Sequence, residues 1–354
     1  MNIYPREQGI VITQTPFRVS FFGGGTDFPD YFNQASGIVI GTAIDKYVYV
    51  TVNSLDRFFE KRIRLSYAQL ELVDRPDELQ HIIVKCILNK HWIANEEAFL
   101  DIHTYADLPS SSGVGSSSSF AIGMLNALHS LYGQYITPEA IAKEAITIER
   151  KDLQEAGGWQ DQIFAAYGGF NKISFYNNQF TVEPICMPLH KKQLLEEACM
   201  FFFTGDTRSS SVVQKNVFST STAEKAEYLK SIHNIAQEGL HILHAPLESE
   251  AFIREFGHLL HQAWLTKRNL SAHISNDKID QLYDIALQAG ALGGKLCGAG
   301  GGGFLLFIVP KEKQGHVAAA LKHCKQVKVG FEEHGTRVIY SKTVSTSPQF
   351  SSIS

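Results

Sequence analysis

Residues 107–119 read Asp107-Leu108-Pro109-Ser110-Ser111-Ser112-Gly113-Val114-Gly115-Ser116-Ser117-Ser118-Ser119 and have no hydrophobic period of their own. Gly113 and Gly115 let the backbone turn tightly and come close to a ligand. The serines that follow place hydroxyls at the start of a helically spaced stretch, beside free amides that favour anions. Such a loop suits a polyphosphate. A plain Ser/Gly linker would not run from a strand directly into an amphipathic helix. The loop is not a P-loop, since Gly-x-x-x-x-Gly-Lys-[Ser/Thr] occurs nowhere in the chain, and the protein-kinase signatures His-Arg-Asp and Asp-Phe-Gly are missing as well.

Three other segments carry polar or glycine-dense chemistry. Residues 16–27 run as a strand through Arg18 into Gly23-Gly24-Gly25-Thr26-Asp27. Glu149 precedes Gly157-Gly158-Trp159-Gln160-Asp161. Taken singly, Arg18 reads as a strand residue with its head in solvent, Asp161 as a helix cap and Glu149 as a solvated helix face. Residues 295–303, Lys295-Leu296-Cys297-Gly298-Ala299-Gly300-Gly301-Gly302-Gly303, formally contain Gly-x-Gly-x-x-Gly. A dinucleotide fingerprint must lead from a strand into a helix, whereas these glycines lead into the strand-like run 304–309, so a nicotinamide oxidoreductase is disfavoured.

The elements that must hold these segments alternate without a steady βα repeat. Strands are expected at 10–13, 17–22, 38–52 and 99–105, the second of the long runs being rich in aromatic and β-branched residues. Helices are expected at 77–92, at 120–131, and from Thr137-Pro138 through Glu149, where a hydroxyl caps and a proline fits the first turn. A β region at 170–181 and a buried strand at 200–204 follow. Helices then cover 223–244, 249–267 and 277–288, the last capped by Ser275 or Asn276. A strand at 304–309, a helix at 311–324 and strands at 327–331 and 337–340 complete the pattern. The fold class is α+β, with two domains, 1–190 and 191–342, and a frayed tail at 343–354.

Composition narrows the function classes. Among 354 residues, 44% are hydrophobic and 19% charged, which excludes a disordered or fibrous chain. Lys plus Arg number 32 against 36 Asp plus Glu, and a net charge of −4 gives no general reason to expect nucleic acid or an anionic membrane as partner. No run approaches the ~20 apolar residues of a membrane span, and residues 1–12 lack the apolar core of a secretion signal. The five cysteines contain no Cys-x-x-Cys pair and read as reduced thiols of a cytoplasmic protein, and neither they nor the histidines suggest a transition metal.

Together, residues 16–27, 109–119, 149–161 and 295–303 resemble, in the same order, the GHMP kinase family of galactokinase, homoserine kinase, mevalonate kinase and phosphomevalonate kinase. The family loop Pro-x-x-x-Gly-Leu-Gly-Ser-Ser-Ala is similar to 109–118, with Val114 and Ser118 replacing Leu and Ala, and Gly-Ala-Gly-Gly-Gly-Gly stands at 298–303. The resemblance implies a two-domain fold, an N-terminal mixed-sheet domain and a C-terminal ferredoxin-like one. It also implies ATP as phosphoryl donor with Mg2+. By the resemblance, Ser112, Gly113, Val114, Gly115, Ser116, Ser117 and Ser118 wrap the ATP phosphates, Ser116 and Glu149 hold magnesium, Asp161 takes the proton of the attacking hydroxyl, and Arg18 stands beside it. Magnesium suits one hydroxyl and one carboxylate, because it is a hard ion that keeps several waters.

The substrate implied is a sugar. Galactokinase carries Glu and His where this chain has Gly24 and Gly25, while Asp27 is shared, so galactose contacts are lost and space opens. Residues 21–31 and 44–50 look most like the branch acting on D-glycero-D-manno-heptose 7-phosphate, which phosphorylates the anomeric hydroxyl. Gly24, Gly25, Thr26, Asp27 and Gly158 are then the sugar-side residues. Arg208 is the first candidate for the far phosphate, with Lys215 and Lys172 behind it. A kinase of galactose or fucose and a non-catalytic sugar sensor are the alternatives. The partner expected is a small sugar phosphate, the chain acting as monomer or homodimer, and the adenine base is expected near strand residues 38–52 or Trp92.

Overall fold

The computed structural model describes residues 8–55, 60–91, 99–205, 222–269, 274–298 and 300–344. Its first layer is a mixed sheet. β1 (Gln8–Phe22) pairs antiparallel with β2 (Gly37–Leu55), the short helix α1 (Pro29–Phe32) lying between them. β3 (Ile63–Ser66) and β4 (Leu70–Val73) form a hairpin. After α2 (Ile82–His91), β5 (Phe99–Ala106) enters between β2 and β3. β2 owes its length to alternating apolar positions such as Val48, Val50 and Val52, all buried, which keep one face dry over the whole run.

On that face lie α3 (Ser116–Leu131) and α5 (Gln160–Tyr167), with α4 (Pro138–Thr147) packed against both helices. α4 starts where sequence chemistry puts it: Thr137 accepts the Ala140 amide at 3.2 Å and Pro138 occupies the first turn. α3 begins four residues earlier than the expected 120–131, at Ser116, because Gly115 at φ +80° starts the helix and the serines form its first turn. The expected helix 77–92 is divided into a 3₁₀ turn at Pro76–Glu78 and α2, since Leu79 is extended. β6 (Phe170–Tyr176) and β7 (Gln179–Pro184) add a hairpin to the other end of β2.

The second layer is α6 (Leu189–Ala198), β8 (Cys199–Phe203), α7 (Thr222–His244), α8 (Ser249–Arg268), α9 (Asp277–Gln288), β9 (Gly293–Leu296), β10 (Phe304–Ile308), α10 (Gln314–Ala320) and β11 (Lys325–Val327). The sheet order β11-β8-β10-β9 is antiparallel throughout, the ferredoxin-like arrangement. Asn276, of the two capping candidates, caps α9 by accepting the Ile279 amide at 3.0 Å.

The chain then returns to the first sheet, which sequence reading had assigned otherwise. β12 (Phe331–Glu332) pairs with β2, and β13 (Arg337–Val344) pairs with β1 from Gln8↔Val344 to Gln14↔Arg337. Residues 331–344 are thus part of the N-terminal sheet rather than of a domain running to 342, and Thr343 and Val344 are strand, not tail. A large core of Phe17, Val19, Phe21, Phe164, Phe175, Phe256 and their neighbours joins the layers, and a second core of Phe202, Trp264, Tyr283 and Phe307 lies within the second layer. None of the five cysteines is in a disulfide, and no helix among the described residues is long and apolar enough to cross a membrane.

Candidate active site

The two layers meet over a cleft, and the segments singled out in the sequence converge on it. Arg18 lies between two register breaks in β1, at Pro16/Phe17 and Ser20/Phe22, which turn the strand and aim the side chain inward. Its Nε and Nη2 donate to the same oxygen of Asp161, Oδ1, at 2.8 and 2.6 Å, and Nη1 donates to the Gly113 carbonyl at 2.7 Å. Arg18 is 4% exposed, so these charge-assisted bonds fix both the acid and the glycine loop. The other Asp161 oxygen, Oδ2, lies 3.4 Å from where a Cβ on Gly115 would stand. One carboxylate oxygen is therefore anchored and the other faces the serine loop.

The loop itself divides into a wall and a support. Ser111, Gly113, Gly115, Ser116, Ser117 and Ser118 line the cleft. Ser112 and Val114, expected among the phosphate contacts, lie behind it. Ser112 is fully buried, its hydroxyl donating to the Pro109 carbonyl at 2.7 Å, and Val114 is in the core with its carbonyl accepting the Arg18 amide at 3.1 Å. Gly113, at φ +84°, has no room for a side chain because its Cβ would fall 2.3 Å from the Cys297 carbonyl. Gly298 in turn presses against Gly113, a Cβ there lying 2.5 Å from the Gly113 Cα. The second glycine segment thus packs backbone on backbone against the first. It runs from strand β9 to strand β10, which is not the strand-to-helix setting a dinucleotide requires.

Glu149 is aimed by a wide helical turn at Ile148–Asp152, where the amide of Leu153 reaches the Ile148 carbonyl. The expected α-helix through Glu149 therefore loosens just before it, a departure typical of functional helices. The hydroxyl that meets Glu149 is that of Ser118, 3.1 Å from Oε2, rather than that of Ser116, and the Gln162 amide donates to the same oxygen. Burial, with the nearby Asp161 charge, pushes the Glu149 carboxyl from 4.5 up to about 7. A buried carboxylate beside a serine hydroxyl at the start of α3 is a hard-oxygen pair that fits Mg2+.

At the other end of the cleft, Asp27 is fully buried and receives the amides of Gly25 and Gln160 at 2.9 and 3.2 Å and the Gln160 side chain at 3.0 Å. Burial raises its pKa, the donated N–H groups opposing the rise. Gly158 exists for this carboxylate, because a Cβ there would fall 2.0 Å from Asp27 Oδ2. Gly24, Gly25, Asp27 and Gly158 all line the cleft. Thr26 does not: its hydroxyl donates to the Gly23 and Ile38 carbonyls and accepts the Ile38 amide, which closes the turn onto β2. Gly24 could carry a Cβ without a clash, the nearest atoms being Gln160 Nε2 and Ser20 Oγ, both 3.6 Å from where it would stand.

Several expected contacts are not brought here. Lys172 pairs with Glu183 at 2.8 Å on the β6–β7 hairpin, away from the cleft. No residue of 38–52 lines the cleft, since that strand is spent on the core and the sheet. Arg208, Lys215 and Trp92 lie outside the described residues. The cations that do line it are Arg18, Lys225 from α7 and Lys267 from α8. The two lysines carry no local motif and were missed. Ser20 and Gln160, also in the wall, had only their place beside Arg18 and Asp161 to mark them. The cleft opens to solvent and is walled by residues of both layers.

Comparison with known proteins gives family-model matches over three of the four site segments, residues 16–27 lying outside them. The model described as GHMP kinases N terminal domain matches residues 81–169 and that described as GHMP kinases C terminal matches 249–326. The chain is 32% identical to the D-glycero-alpha-D-manno-heptose 7-phosphate kinase of Campylobacter jejuni over 88% of this chain and 92% of that one. It is 26% identical to a bifunctional fucokinase/GDP-fucose pyrophosphorylase of Arabidopsis thaliana, over 91% of this chain and 31% of that protein. Among solved structures, a D-glycero-D-manno-heptose 1-phosphate kinase from Bacteroides thetaiotaomicron superposes with a TM-score of 0.74 at 23% identity, covering 94% of this chain and 99% of that chain.

Proposed function

The chain belongs to the GHMP kinases and is a sugar kinase, and from that premise we propose that it transfers the γ-phosphoryl group of ATP to the anomeric hydroxyl of D-glycero-D-manno-heptose 7-phosphate. The observation that carries the reading is the meeting of Arg18, Asp161, the Gly113–Gly115 turn and the Ser118–Glu149 pair in one cleft. Phosphoryl transfer needs positioning and charge neutralisation more than covalent help from the protein, and these groups supply both.

Asp161 holds Oδ1 on Arg18 and offers Oδ2 to the sugar hydroxyl. As the anomeric oxygen forms its bond to the γ-phosphorus, its proton passes to Asp161, and the bond from that phosphorus to the bridging oxygen of ADP breaks. The amides at the start of α3 and the glycine turn cradle the polyphosphate. Ser118 and Glu149, with Ser116 at the cleft edge, would hold magnesium, which when bound neutralises phosphate charge. Asp27 positions the turn of Gly24 and Gly25 against Gln160, and the two glycines put no side chain between that turn and the sugar.

A phosphorylated sugar needs a cation at its far end. Lys225 lines that end of the cleft, one helical turn before Leu229, whose methyl lies 3.3 Å from the missing Cβ of Gly25. Lys225 is the proposed phosphate-binding cation; Arg208, the candidate from the sequence, lies outside the described residues. The assay is ADP release with magnesium-ATP and a panel of sugars. Turnover on heptose 7-phosphate far above that on free heptose, fucose or galactose is the expected result. Preference for fucose or galactose would instead favour a kinase of an unphosphorylated sugar, to which the fucokinase similarity points. No ADP from any sugar would overturn the kinase assignment.

A further inference from the structure

Arg18 spends three of its five N–H groups, one each on Nε, Nη1 and Nη2, on Asp161 and Gly113 before any ligand arrives. Another cation in the cleft is less engaged. Lys267, in the last turn of α8, donates from Nζ to the Gly298 carbonyl at 2.7 Å, and that is its one hydrogen bond among the described residues. No carboxylate pairs with it there. On this half-buried side chain, which lines the cleft, two of the three ammonium N–H groups thus have no protein acceptor among the described residues. Gly298 packs on Gly113, so the ammonium is held where the two glycine segments meet, in the same wall as Arg18, Gly115 and Asp161.

Resting on the kinase reading, we propose that Lys267 is a catalytic residue whose two unspent N–H groups bind a nonbridging oxygen of the transferred phosphoryl group. Arg18 then serves chiefly to fix Asp161, and Lys267 supplies the charge that grows more valuable as the phosphoryl group moves. The surroundings support an anion-dependent ammonium. Burial pushes Lys267 down to about 8. Arg18 opposes its charge, whereas Cys297, Asp27 and Asp161 favour it. Lys295 on β9, tied to the Ser20 carbonyl at 2.7 Å, also opposes it and is itself pushed down to about 7 by burial. A bound phosphate would restore the proton to Lys267, so nucleotide binding above pH 8 should take up a proton.

The test is calorimetric titration of the full chain with magnesium-ATP at pH 9 in buffers of different ionisation heat, alongside steady-state kinetics. Wild type should take up roughly 0.9 proton, because a group titrating near 8 is about 10% protonated at that pH. Lys267→Met should take up close to none and lose ~10²-fold or more in kcat, with the sugar KM little changed. Lys267→Arg, always charged, should keep a nucleotide affinity that no longer weakens between pH 8 and 9.5, and it decides the matter if the Met variant does not fold. Equal proton uptake in wild type and variant, or a kcat within threefold, would make Lys267 only an anchor for Gly298. Transfer to no sugar by wild type overturns the kinase reading instead, and proton uptake on nucleotide binding still judges Lys267.

Discussion

Replacing Glu149 by Gln should make the protein more stable and inactive at once. In the folded state burial and the Asp161 charge push the Glu149 carboxyl from 4.5 up to about 7, with Ser118 and Gln162 donating to Oε2. Between those two values the folded chain keeps a proton that the unfolded chain has released, so stability falls as pH climbs through the window and stays low above it. At ~1.36 kcal/mol per pH unit the loss by pH 8.5 is roughly 3 kcal/mol. A glutamine carries no charge, and its amide oxygen can accept both donors. Urea or thermal denaturation in EDTA at pH 8.5 should therefore find Glu149→Gln more stable by up to about 3 kcal/mol, roughly 5 °C in a chain of this size. Near pH 4.5 the difference should vanish, while turnover with magnesium-ATP falls by ~10²-fold or more at every pH. An advantage that is absent at pH 8.5, or that persists unchanged at pH 4.5, would mean that the carboxyl is solvated and that its burial does not set its affinity for protons or cations.

Other perturbations follow from the same geometry. Asp161→Asn should leave nucleotide binding nearly intact and cut turnover by ~10²-fold or more, as measured by separate binding and ADP-release assays. Gly158→Ala would drive a Cβ to within 2.0 Å of Asp27 Oδ2 and break up three donated bonds, costing roughly 3 kcal/mol or more in chemical denaturation. Gly24→Ala, whose Cβ meets nothing nearer than 3.6 Å, should shift stability by less than about 0.5 kcal/mol. On α4, Glu144 pairs with His91 at 2.5 Å and His129 at 2.9 Å. Burial would raise its pKa, but the two imidazoles hold it at about 2. A depressed acid stabilises above its unfolded pKa of 4.5 and stops doing so as pH falls through the folded one. Glu144→Gln should thus be less stable near pH 5 by as much as ~3 kcal/mol, the deficit closing as pH drops from 4.5 toward 2.

The lysines separate what local pattern can reveal from what it cannot. Arg18, Asp161 and Glu149, each unremarkable alone, were legible only because their segments together resemble one family's ordered motifs. Lys267 sits in Ala263-Trp264-Leu265-Thr266-Lys267-Arg268, an ordinary helix ending in basic residues, and its partner is a carbonyl 31 positions further on. Ser118 rather than Ser116 meets Glu149 for a similar reason. Both are serines in a run of four, and only the phase of α3 against the wide turn at 148–152 decides between them.

The sequence by itself determined most of the long elements, while the β3–β4 hairpin and α6 carried no signal strong enough to be read. The β-branched run of β2, the Thr137 and Asn276 caps and the glycine turns are short-range signals, acting through steric limits and hydrogen bonds within a few residues. Tertiary structure alone decided how the ends join. Arg18 meets Asp161 across 143 positions, Lys295 reaches Ser20 across 275, and β13 returns to pair with β1, so that the last strand belongs to the first sheet. Such pairings depend on register, bulges and packing between distant elements, and a charged or strand-forming residue carries no local mark of the partner it will find.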